Sequence, residues 1–354
     1  MYAEAYLEKL RGLAKLLSQR GEYIGNTPLS ETETSVPPGL LPVKHCIEAA
    51  LYSPYVKGID TLSLLIIAPI GSGKTELLKA YGTNKGVAFY NDFTSYGLYT
   101  LLSQIQAGLI KHVLISDFVR LLARGKQVVR EILMTLNALM EEGIQNIETF
   151  FIRFHSPKPV KAGVIAALTT EEWRARRKQW IRMGFLSRAL PVSYTLAPED
   201  KLRGEGLIYE GIQAFKPVEL KLPTETVEVA LPDKLKEELK RLGRILAAVN
   251  RDETGFRSHK HVIALAKSSA LKDGREEVSE KDIRLLKALF IFWLSPYSGD
   301  EPSFRIMLEL PATTSRLLDS LAPLYSRATI YRRLERLEQL KAIRRSGEEW
   351  ILNL

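Results

Sequence analysis

The eight residues from Ala68 to Thr75 have the types and spacing needed to bind a polyphosphate. They read A-P-I-G-S-G-K-T and lie between an apolar stretch, Leu62–Ile67, and a helical stretch, Glu76–Tyr81. Backbone N–H groups of such a glycine-rich loop close around phosphate oxygens, and the N-terminus of the following helix adds partial positive charge. An ordinary glycine-rich turn is the alternative, but the setting between strand and helix favours a nucleoside-triphosphate site.

Individual residues of this loop have distinct expected tasks. Lys74 is expected to reach the β- and γ-phosphates, and the Thr75 hydroxyl is expected to bind Mg²⁺. Gly71, Ser72 and Gly73 are expected to hold the phosphates through their backbone N–H groups. The sequence therefore predicts a nucleoside triphosphate bound together with Mg²⁺.

A second apolar strand, Val113–Ile115, leads into Asp117. In P-loop proteins an aspartate at this place holds Mg²⁺, so Asp117 is the second predicted metal residue. The next residue, Phe118, stands where many P-loop enzymes have a glutamate that polarises the attacking water. Hydrolysis is then slow, or the nucleotide acts as a switch, or another carboxylate serves as the base.

Asp92 is the best substitute for that glutamate. It follows the predicted strand Val87–Tyr90, and ligands of open α/β sheets bind at the carboxyl ends of the strands. The alternative is that Asp92 caps a helix over Tyr96–Gln106.

Two hydroxyls, Thr169 and Thr170, end the apolar stretch Ala162–Leu168. One of them is expected to contact the γ-phosphate or the attacking water. The other is expected to cap the helix Glu171–Gly184, a task that suits Thr170 because two glutamates follow it in the first turn.

The composition is that of an ordinary globular protein with a basic balance. Of the 354 residues, 45% are hydrophobic and 26% are charged, and the formal net charge of +9 weakly favours nucleic acid as a partner. No apolar run reaches the roughly 18 residues that a membrane-spanning helix needs. The single cysteine, Cys46, fits a reducing compartment, and the five histidines have no metal-ligand spacing. We therefore expect a cytoplasmic protein without a membrane partner.

The pattern of elements divides the chain into four predicted parts. Residues 1–44 contain an amphipathic helix, Met1–Arg20, and a linker, Gly21–Pro42. Residues 45–230 alternate strands and helices, which predicts an α/β fold with a parallel sheet between helices. Residues 231–298 are predicted to be a separate all-helical unit, followed after a break at Ser295–Pro302 by a small unit in 299–354. The predicted strands are Leu62–Ile67, Val87–Tyr90, Val113–Ile115, Ala162–Leu168 and Val192–Leu196, with two more short ones in Lys216–Leu231. The predicted helices of the third part are Asp233–Asn250, His259–Lys272 and Glu280–Leu294.

The order of these parts resembles the AAA+ ATPases of the helicase superclass over roughly residues 45–295. The resemblance rests on the loop at 68–75, Asp117, the two threonines, the segment Phe185–Arg188 and the helical unit that follows. The stretch from Leu139 to Arg188 is similar to that of the minichromosome-maintenance (MCM) helicases and the Holliday-junction branch-migration motor. The resemblance implies an AAA+ core with an α-helical lid, ATP as the nucleotide, and a homo-oligomer, usually a hexameric ring.

The resemblance also implies roles for individual residues. Thr169 or Thr170 matches sensor 1, Arg188 matches the arginine finger that completes a neighbouring subunit's site, and Arg257 matches sensor 2. Guanidinium groups from outside the loop suit the charge that spreads over a phosphoryl group in the transition state. Surface ion pairs are the alternative for both arginines.

A β-hairpin that points into a central channel precedes the sensor-1 strand in both related groups. The segment Ile147–Lys161 occupies that position here. It carries Arg153, Lys158 and Lys161, which are therefore predicted to contact DNA.

Residues 310–354 resemble a winged helix-turn-helix domain, whose second helix enters the major groove. The predicted helices are Ala312–Leu321 and Ser326–Leu337, and the predicted wing joins Ile343–Arg345 to Trp350–Leu352. The segment has eight lysines and arginines against five acidic residues. Some winged helices bind protein instead, which remains the alternative. The predicted DNA contacts are Arg327, Tyr331, Arg332, Arg333, Arg344 and Arg345.

Two functions fit these patterns. The first is an ATP-dependent, ring-forming DNA helicase or translocase of replication or recombination, acting with a replication or recombination protein as partner. The alternative is a helicase loader, replication initiator or transposition regulator that uses ATP as an assembly switch with little hydrolysis, and Phe118 favours it. A protein remodeller is disfavoured because the sequence has no obvious aromatic-Val-Gly pore loop.

Overall fold

The computed structural model describes residues 40–148, 153–194, 196, 198–211, 215–250, 254–298, 301–339 and 343–352. The helix predicted at Met1–Arg20 and most of the predicted linker lie outside these ranges. Helix α1 (Leu41–Tyr52) begins inside that linker, with Pro42 in its first turn, where a missing N–H costs no hydrogen bond. This helix crosses the boundary predicted at residue 44.

A five-stranded parallel sheet forms the centre of the molecule, so the α/β fold class is confirmed. The strands of residues 64–193 are β1 (Leu64–Ala68), β2 (Gly86–Tyr90), β3 (Ile110–Ile115), β4 (Ile144–Glu148), β5 (Arg153–Val160), β6 (Gly163–Thr169) and β7 (Leu190–Ser193). The sheet has the order β2-β3-β6-β1-β7, while β4 and β5 form a separate antiparallel hairpin. Every residue of β1 is buried, as expected for a strand covered on both faces. The five strands predicted for the sheet are therefore all present.

Helices cover both faces of the sheet. Those between β1 and the end of the α/β region are α2 (Lys74–Lys79), α3 (Ser95–Thr100), α4 (Leu102–Gln106), α5 (Phe118–Leu122), α6 (Lys126–Met140), α7 (Thr170–Arg182) and α8 (Pro198–Tyr209). Apolar residues of α3 to α7 pack in one buried cluster with β3 and β6. The opposite face packs against α1, α2 and the helices that follow the sheet region.

The all-helical part shares a buried core with the sheet. Its helices are α9 (Asp233–Asn250), α10 (Phe256–Lys272) and α11 (Glu280–Ser298). Leu242, Val262 and Leu286 are buried in the same cluster as residues of β1 and β7. One continuous apolar core thus fixes these helices to the sheet.

The segment before α9 is extended, but the two short strands predicted in Lys216–Leu231 are not formed. Isolated bridges join Val227 to Val56 and Ala230 to Glu277. Asn84 fastens the segment further upstream, because its side chain donates to the Val218 carbonyl at 2.7 Å and accepts from the Leu220 N–H at 2.8 Å.

The C-terminal residues form a small unit with its own buried cluster. Its elements are α12 (Glu301–Glu309), β8 (Ala312–Thr313), α13 (Thr314–Leu321), α14 (Arg327–Gln339), β9 (Ile343–Ser346) and β10 (Glu349–Leu352). The three strands pair in the order β8-β10-β9, so a helix-turn-helix is followed by the predicted hairpin. Ala312 and Thr313 belong to a strand rather than to the predicted helix, which starts later because the Thr313 hydroxyl caps it. The break predicted at Ser295–Pro302 is shorter, since α11 runs to Ser298.

Within the described ranges, no helix combines the length and the apolar character required to cross a membrane.

Candidate functional site

The loop after β1 takes a conformation that requires glycine at two positions. Gly71 and Gly73 have φ angles of +73° and +81°, in the left-handed region that other residues rarely adopt. Gly73 directly precedes α2, so the loop ends at a helix N-terminus. A Cβ atom on Gly73 would lie only 2.7 Å from Cζ of Phe215, so a larger residue here would also displace that ring.

A buried tyrosine holds the outer part of the loop. The hydroxyl of Tyr194, just after β7, donates to the Ser72 carbonyl at 3.0 Å, and the Ser72 hydroxyl donates to the Pro69 carbonyl at 2.7 Å. Burial raises the pKa of Tyr194, so its proton stays in this bond. Sequence reasoning missed Tyr194 and Phe215. For Tyr194, the available signal was an aromatic residue directly after a strand at the sheet edge that carries the loop.

Lys74 lies folded against its own loop. Its ammonium group donates to the carbonyls of Ala68 at 2.9 Å and Pro69 at 2.6 Å. Burial lowers the pKa of Lys74, whereas the charges of Glu171 and, less strongly, Asp117 raise it. Two carboxylates therefore lie near this ammonium group, one on each of two neighbouring elements.

Oxygen ligands suited to Mg²⁺ lie on both sides of the predicted phosphate position. Thr75 is exposed in the first turn of α2, and Asp117 follows β3 with its carboxylate partly exposed. Asp117 is paired with Arg120 at 3.2 Å. Strand β6 separates β1 from β3. A hydroxyl and a carboxylate are hard oxygen donors, so this pair of residues fits Mg²⁺ bound to a phosphate.

The strand between them ends in Thr169, whose Cα is paired with that of Ala68, the residue that opens the loop. The Thr169 hydroxyl accepts the Glu172 N–H at 3.2 Å and caps α7. This corrects the expectation that Thr170 is the cap, since Thr170 is already the first residue of the helix. Both threonines are half-buried at the same edge as the loop.

Phe118 points away from this edge and into the core. Its side chain is fully buried and stacks on Phe185 with ring centroids 6.0 Å apart and planes at 9°. Trp180 lies 6.1 Å from it on another side. Position 118 therefore belongs to an aromatic cluster and has no access to a nucleotide.

Asp92 lies at the edge of the sheet, because β2 is the outermost strand and lies three positions from β1. Its carboxylate is paired with Arg124 at 2.8 Å. The expected role as a helix cap is wrong, since the hydroxyl of Thr94 caps α3 by accepting the Gly97 N–H.

Arg188 and Arg257 lie together and share one carboxylate. Glu141 contacts Nε of Arg188 at 2.8 Å and Nε of Arg257 at 2.6 Å. Arg188 also contacts the carboxylate of Glu142 and donates to the Gly184 carbonyl at 2.8 Å. Burial raises the pKa of Glu142, but its hydrogen bonds, chiefly the one from Arg188, and the charges of Arg188 and Arg257 together lower it by more, so the net shift is downward. The ion pairs considered as an alternative for both arginines are thus present within one chain.

An open cleft surrounds this pair of arginines and continues to Asp60. Asp60 is paired with Lys161 at 3.3 Å and with Lys260 at 3.0 Å. Asp60 precedes β1, and Arg188 precedes β7, so the cleft lies at the amino edge of the sheet. The phosphate loop lies at the opposite, carboxyl edge.

The hairpin predicted between α6 and β6 is formed by β4 and β5. Arg153 is highly exposed and paired across the hairpin with Glu148 at 3.5 Å. Lys158 is exposed near the end of β5. Lys161 lies beyond β5, at the base of the hairpin, where it pairs with Asp60.

Helix α14 buries Ile330, Leu334 and Leu337. Its outer face exposes basic residues and one aromatic residue, and Arg344 and Arg345 of β9 are also exposed. Arg345 lies over the ring of Trp350 at 4.6 Å. Arg333 departs from its expected place, because it is half-buried beside the inner face. The exposed predicted residues of α14 are Arg327, Tyr331 and Arg332.

No protein-family model and no curated protein matches the sequence. Among solved structures, a full-length MCM homolog from Methanopyrus kandleri is 14% identical with a TM-score of 0.43, over 83% of this chain and 62% of that one. The ORC2 protein of Aeropyrum pernix is 14% identical with a TM-score of 0.29, over 91% of this chain and 92% of that one. This chain thus spans less than two thirds of the MCM homolog. Likenesses of this size are too weak to assign a family or a function.

Proposed function

We propose that this protein is an ATPase of the AAA+ type that acts on DNA as a homo-oligomer, as a ring-forming motor in replication or recombination. One observation carries the proposal. The phosphate loop lies at the carboxyl edge of the parallel sheet, whereas the two arginines suited to phosphoryl transfer lie at the amino edge of the same sheet.

The nucleotide half of the proposal assigns a task to each group at the carboxyl edge. Lys74 leaves the carbonyls of Ala68 and Pro69 to bind the β- and γ-phosphates of ATP, and the loop backbone surrounds them. Thr75 and Asp117 hold Mg²⁺, which supplies positive charge to the phosphates. Thr169 or its neighbour Thr170 contacts the γ-phosphate, because this strand end adjoins the loop.

The arginines serve a neighbouring subunit because their own nucleotide is out of reach. Leu190, two residues after Arg188, pairs with Leu64 at the start of β1. The phosphate loop begins only after Ala68, so a strand of five residues, about 16 Å long, separates the two sites. Since Glu141 joins Arg188 to Arg257, both arginines face the same neighbour. Head-to-tail contacts of this kind close into rings when the rotation permits it.

The DNA half of the proposal uses two basic surfaces. The first is the hairpin with Arg153 and Lys158. The second is the winged-helix-like C-terminal unit, in which α14 would enter the major groove and the β9–β10 hairpin would act as the wing. The net charge of +9 supports a polyanionic partner.

A second candidate function, an ATP-controlled switch such as a helicase loader or replication initiator, is favoured by Phe118. Because this side chain is fully buried among aromatic rings, position 118 supplies no group that activates water. If no other residue activates the water, the protein would bind ATP and assemble without hydrolysing it.

Steady-state ATP hydrolysis with and without single- and double-stranded DNA separates the two functions. Turnover that DNA stimulates, and that Lys74→Ala abolishes, is expected for the motor. Binding of ATP without turnover in any condition assigns the switch instead.

A mixing experiment tests the neighbouring arginine. Arg188→Ala is expected to lower turnover by roughly 10³-fold or more while ATP binding is kept. Mixing Arg188→Ala with Lys74→Ala is expected to restore part of the activity, because intact sites form where an Arg188 subunit meets a Lys74 subunit. Wild-type turnover by Arg188→Ala would remove this residue from the mechanism.

A further inference from the structure

The hydrolysis proposed above needs a carboxylate that activates water, and Phe118 cannot supply it. The replacements considered are the acidic residues that follow β2, β3 and β6 at the carboxyl edge of the sheet. In the described part of the chain we compared four of them: Asp92, Asp117, Glu171 and Glu172.

Three of the four are already engaged. Asp92 is paired with Arg124 and lies on the outermost strand, three positions from β1. Glu172 is paired with Arg176 at 2.6 Å, and Arg176 is fixed in turn by the Leu122 carbonyl. Asp117 is the carboxylate proposed for Mg²⁺.

Glu171 differs from the other three in its position and in its lack of an ion pair within the described residues. It is exposed, and it makes no ion pair with any residue that the structure describes. It lies in the first turn of α7, two residues after Thr169, which is paired with Ala68. Its charge acts on the Lys74 ammonium more strongly than that of Asp117 does. Its carboxylate therefore lies on the side of the site where the γ-phosphate is expected.

We propose that Glu171 is the general base for ATP hydrolysis in this protein. This inference rests on the proposed ATPase function. The carboxylate accepts a proton from a water molecule as the water oxygen forms a bond to the γ-phosphorus. The bond between that phosphorus and the β–γ bridging oxygen breaks, and the electron pair leaves with ADP.

The test compares Glu171→Gln with its neighbour, Glu172→Gln. The first variant keeps the size of the side chain but removes the base. It is expected to lower the ATP turnover number about 100-fold or more, with the affinity for ATP and the melting temperature unchanged. The second variant removes the same charge from the same helical turn and is expected to keep turnover near the wild-type value.

Four outcomes would overturn the inference. Turnover near wild type in Glu171→Gln removes Glu171 from the mechanism and leaves the ATPase proposal intact. An equal loss of turnover in both variants assigns the effect to the charge of the helix turn. A loss of ATP affinity or thermal stability in Glu171→Gln alone makes it a structural residue. Absence of turnover in the wild-type protein, with ATP still bound, ends the motor proposal and this inference together.

Discussion

At the scale of single residues, the structure explains a substitution that the sequence alone left open. Phe118 stands where the sequence pattern predicts a water-activating glutamate, and in the structure it belongs to a cluster with Trp180 and Phe185. Aromatic rings at these separations add stabilisation beyond their buried area. The first turn of α5 therefore contributes to packing under the sheet, and the base of the proposed hydrolysis would have to lie on another element.

Restoring the glutamate at this position is consequently expected to damage the protein rather than activate it. Phe118→Glu would remove an aromatic ring and bury a carboxylate without a partner, at a cost of about 3–5 kcal/mol in the free energy of unfolding. Urea unfolding measures this cost, and Phe118→Leu is the matched control, with a smaller loss because it stays apolar.

A Phe118→Glu protein with wild-type stability and faster ATP hydrolysis would contradict the burial of this side chain. It would also return the water-activating role to position 118.

Glu141 is the second residue whose importance was hidden in the sequence. It ends α6, far along the chain from Arg188 and Arg257, and only the fold brings the three together. Removing one partner of a partly buried ion pair costs more than the pair contributes, because a charge is left uncompensated. Removing Glu141 would therefore leave the charges of both Arg188 and Arg257 less compensated. In the proposed ring, a neighbouring nucleotide would compete with Glu141 and Glu142 for these arginines.

At the scale of elements, β3 carries a buried histidine that makes folding sensitive to acid. His112 is 1% exposed, and its Nε2 lies 3.1 Å from the carbonyl of Leu62, which precedes β1. A Cβ atom on Gly163 would lie 2.3 Å from the same ring nitrogen, so β6 passes directly over it. Burial lowers the pKa of His112 from 6.5 to about 4.

This pKa predicts a loss of stability as the pH falls. Between pH 6.5 and about 4 the unfolded chain binds a proton at this residue and the folded chain does not. The contribution of neutral His112 to the free energy of unfolding is thus complete above pH 6.5. It decreases by roughly 2 kcal/mol by pH 4.5. The free energy of unfolding, measured with urea, should therefore decrease less between pH 7 and pH 4.5 for His112→Gln than for wild type. An identical pH dependence of the two proteins would mean that His112 titrates normally.

Most elements could be predicted from the sequence, because their signals are local. The strands of the sheet are continuous apolar runs, and α9 has the predicted bounds, Asp233–Asn250. The errors fall where tertiary contacts decide. The alternating segment Lys216–Leu231 finds no strand partner beyond isolated bridges, and Asn84 holds it by side-chain hydrogen bonds instead. The glycines made the loop at 68–75 predictable. Tyr194 contacts this loop, and Glu141 contacts the two arginines, only because the fold brings together residues that are distant in sequence.

The exposed face of α14 yields a prediction about DNA affinity. Replacing both Arg327 and Arg332 by alanine removes two exposed charges from the proposed recognition helix. If each contacts a phosphate, the slope of log K against log salt should become shallower by about 2, and affinity should fall for all DNA sequences alike. Fluorescence anisotropy with a labelled duplex at several salt concentrations measures both quantities.

The control removes the same charge from another helix. Lys236 and Lys240 are exposed on α9 and paired with Asp233 and Glu237. An equal loss of affinity in Lys236→Ala/Lys240→Ala would mean that net charge, not α14, governs binding. Unchanged affinity in the α14 variant would assign the C-terminal unit to a protein partner.

At the scale of the whole molecule, the shared core determines how the two edges of the sheet can act. Helix α10, which carries Arg257 at its start, packs in one buried cluster with β1 and β7. The arginine edge and the phosphate edge are therefore two faces of one body.

Each face also exposes a large apolar side chain. Ile70 in the phosphate loop is 80% exposed, and Phe256 beside Arg257 is 72% exposed. If the proposed head-to-tail assembly forms, we expect these two side chains to approach each other across each interface. Exposed apolar residues next to charged ones are common at protein interfaces.

Cross-linking of single-cysteine variants tests this arrangement, and the chain is well suited to it. The native Cys46 is fully buried, and burial raises the pKa of its thiol to about 12, so it remains unreactive. With ATP and a short bifunctional thiol reagent, a mixture of Ile70→Cys and Phe256→Cys proteins should give cross-linked dimers. Either variant alone should stay monomeric on a denaturing gel, because a head-to-tail interface never brings two identical faces together. Dimers formed by Phe256→Cys alone would indicate a two-fold symmetric contact, and the arginines would then face each other instead of a nucleotide.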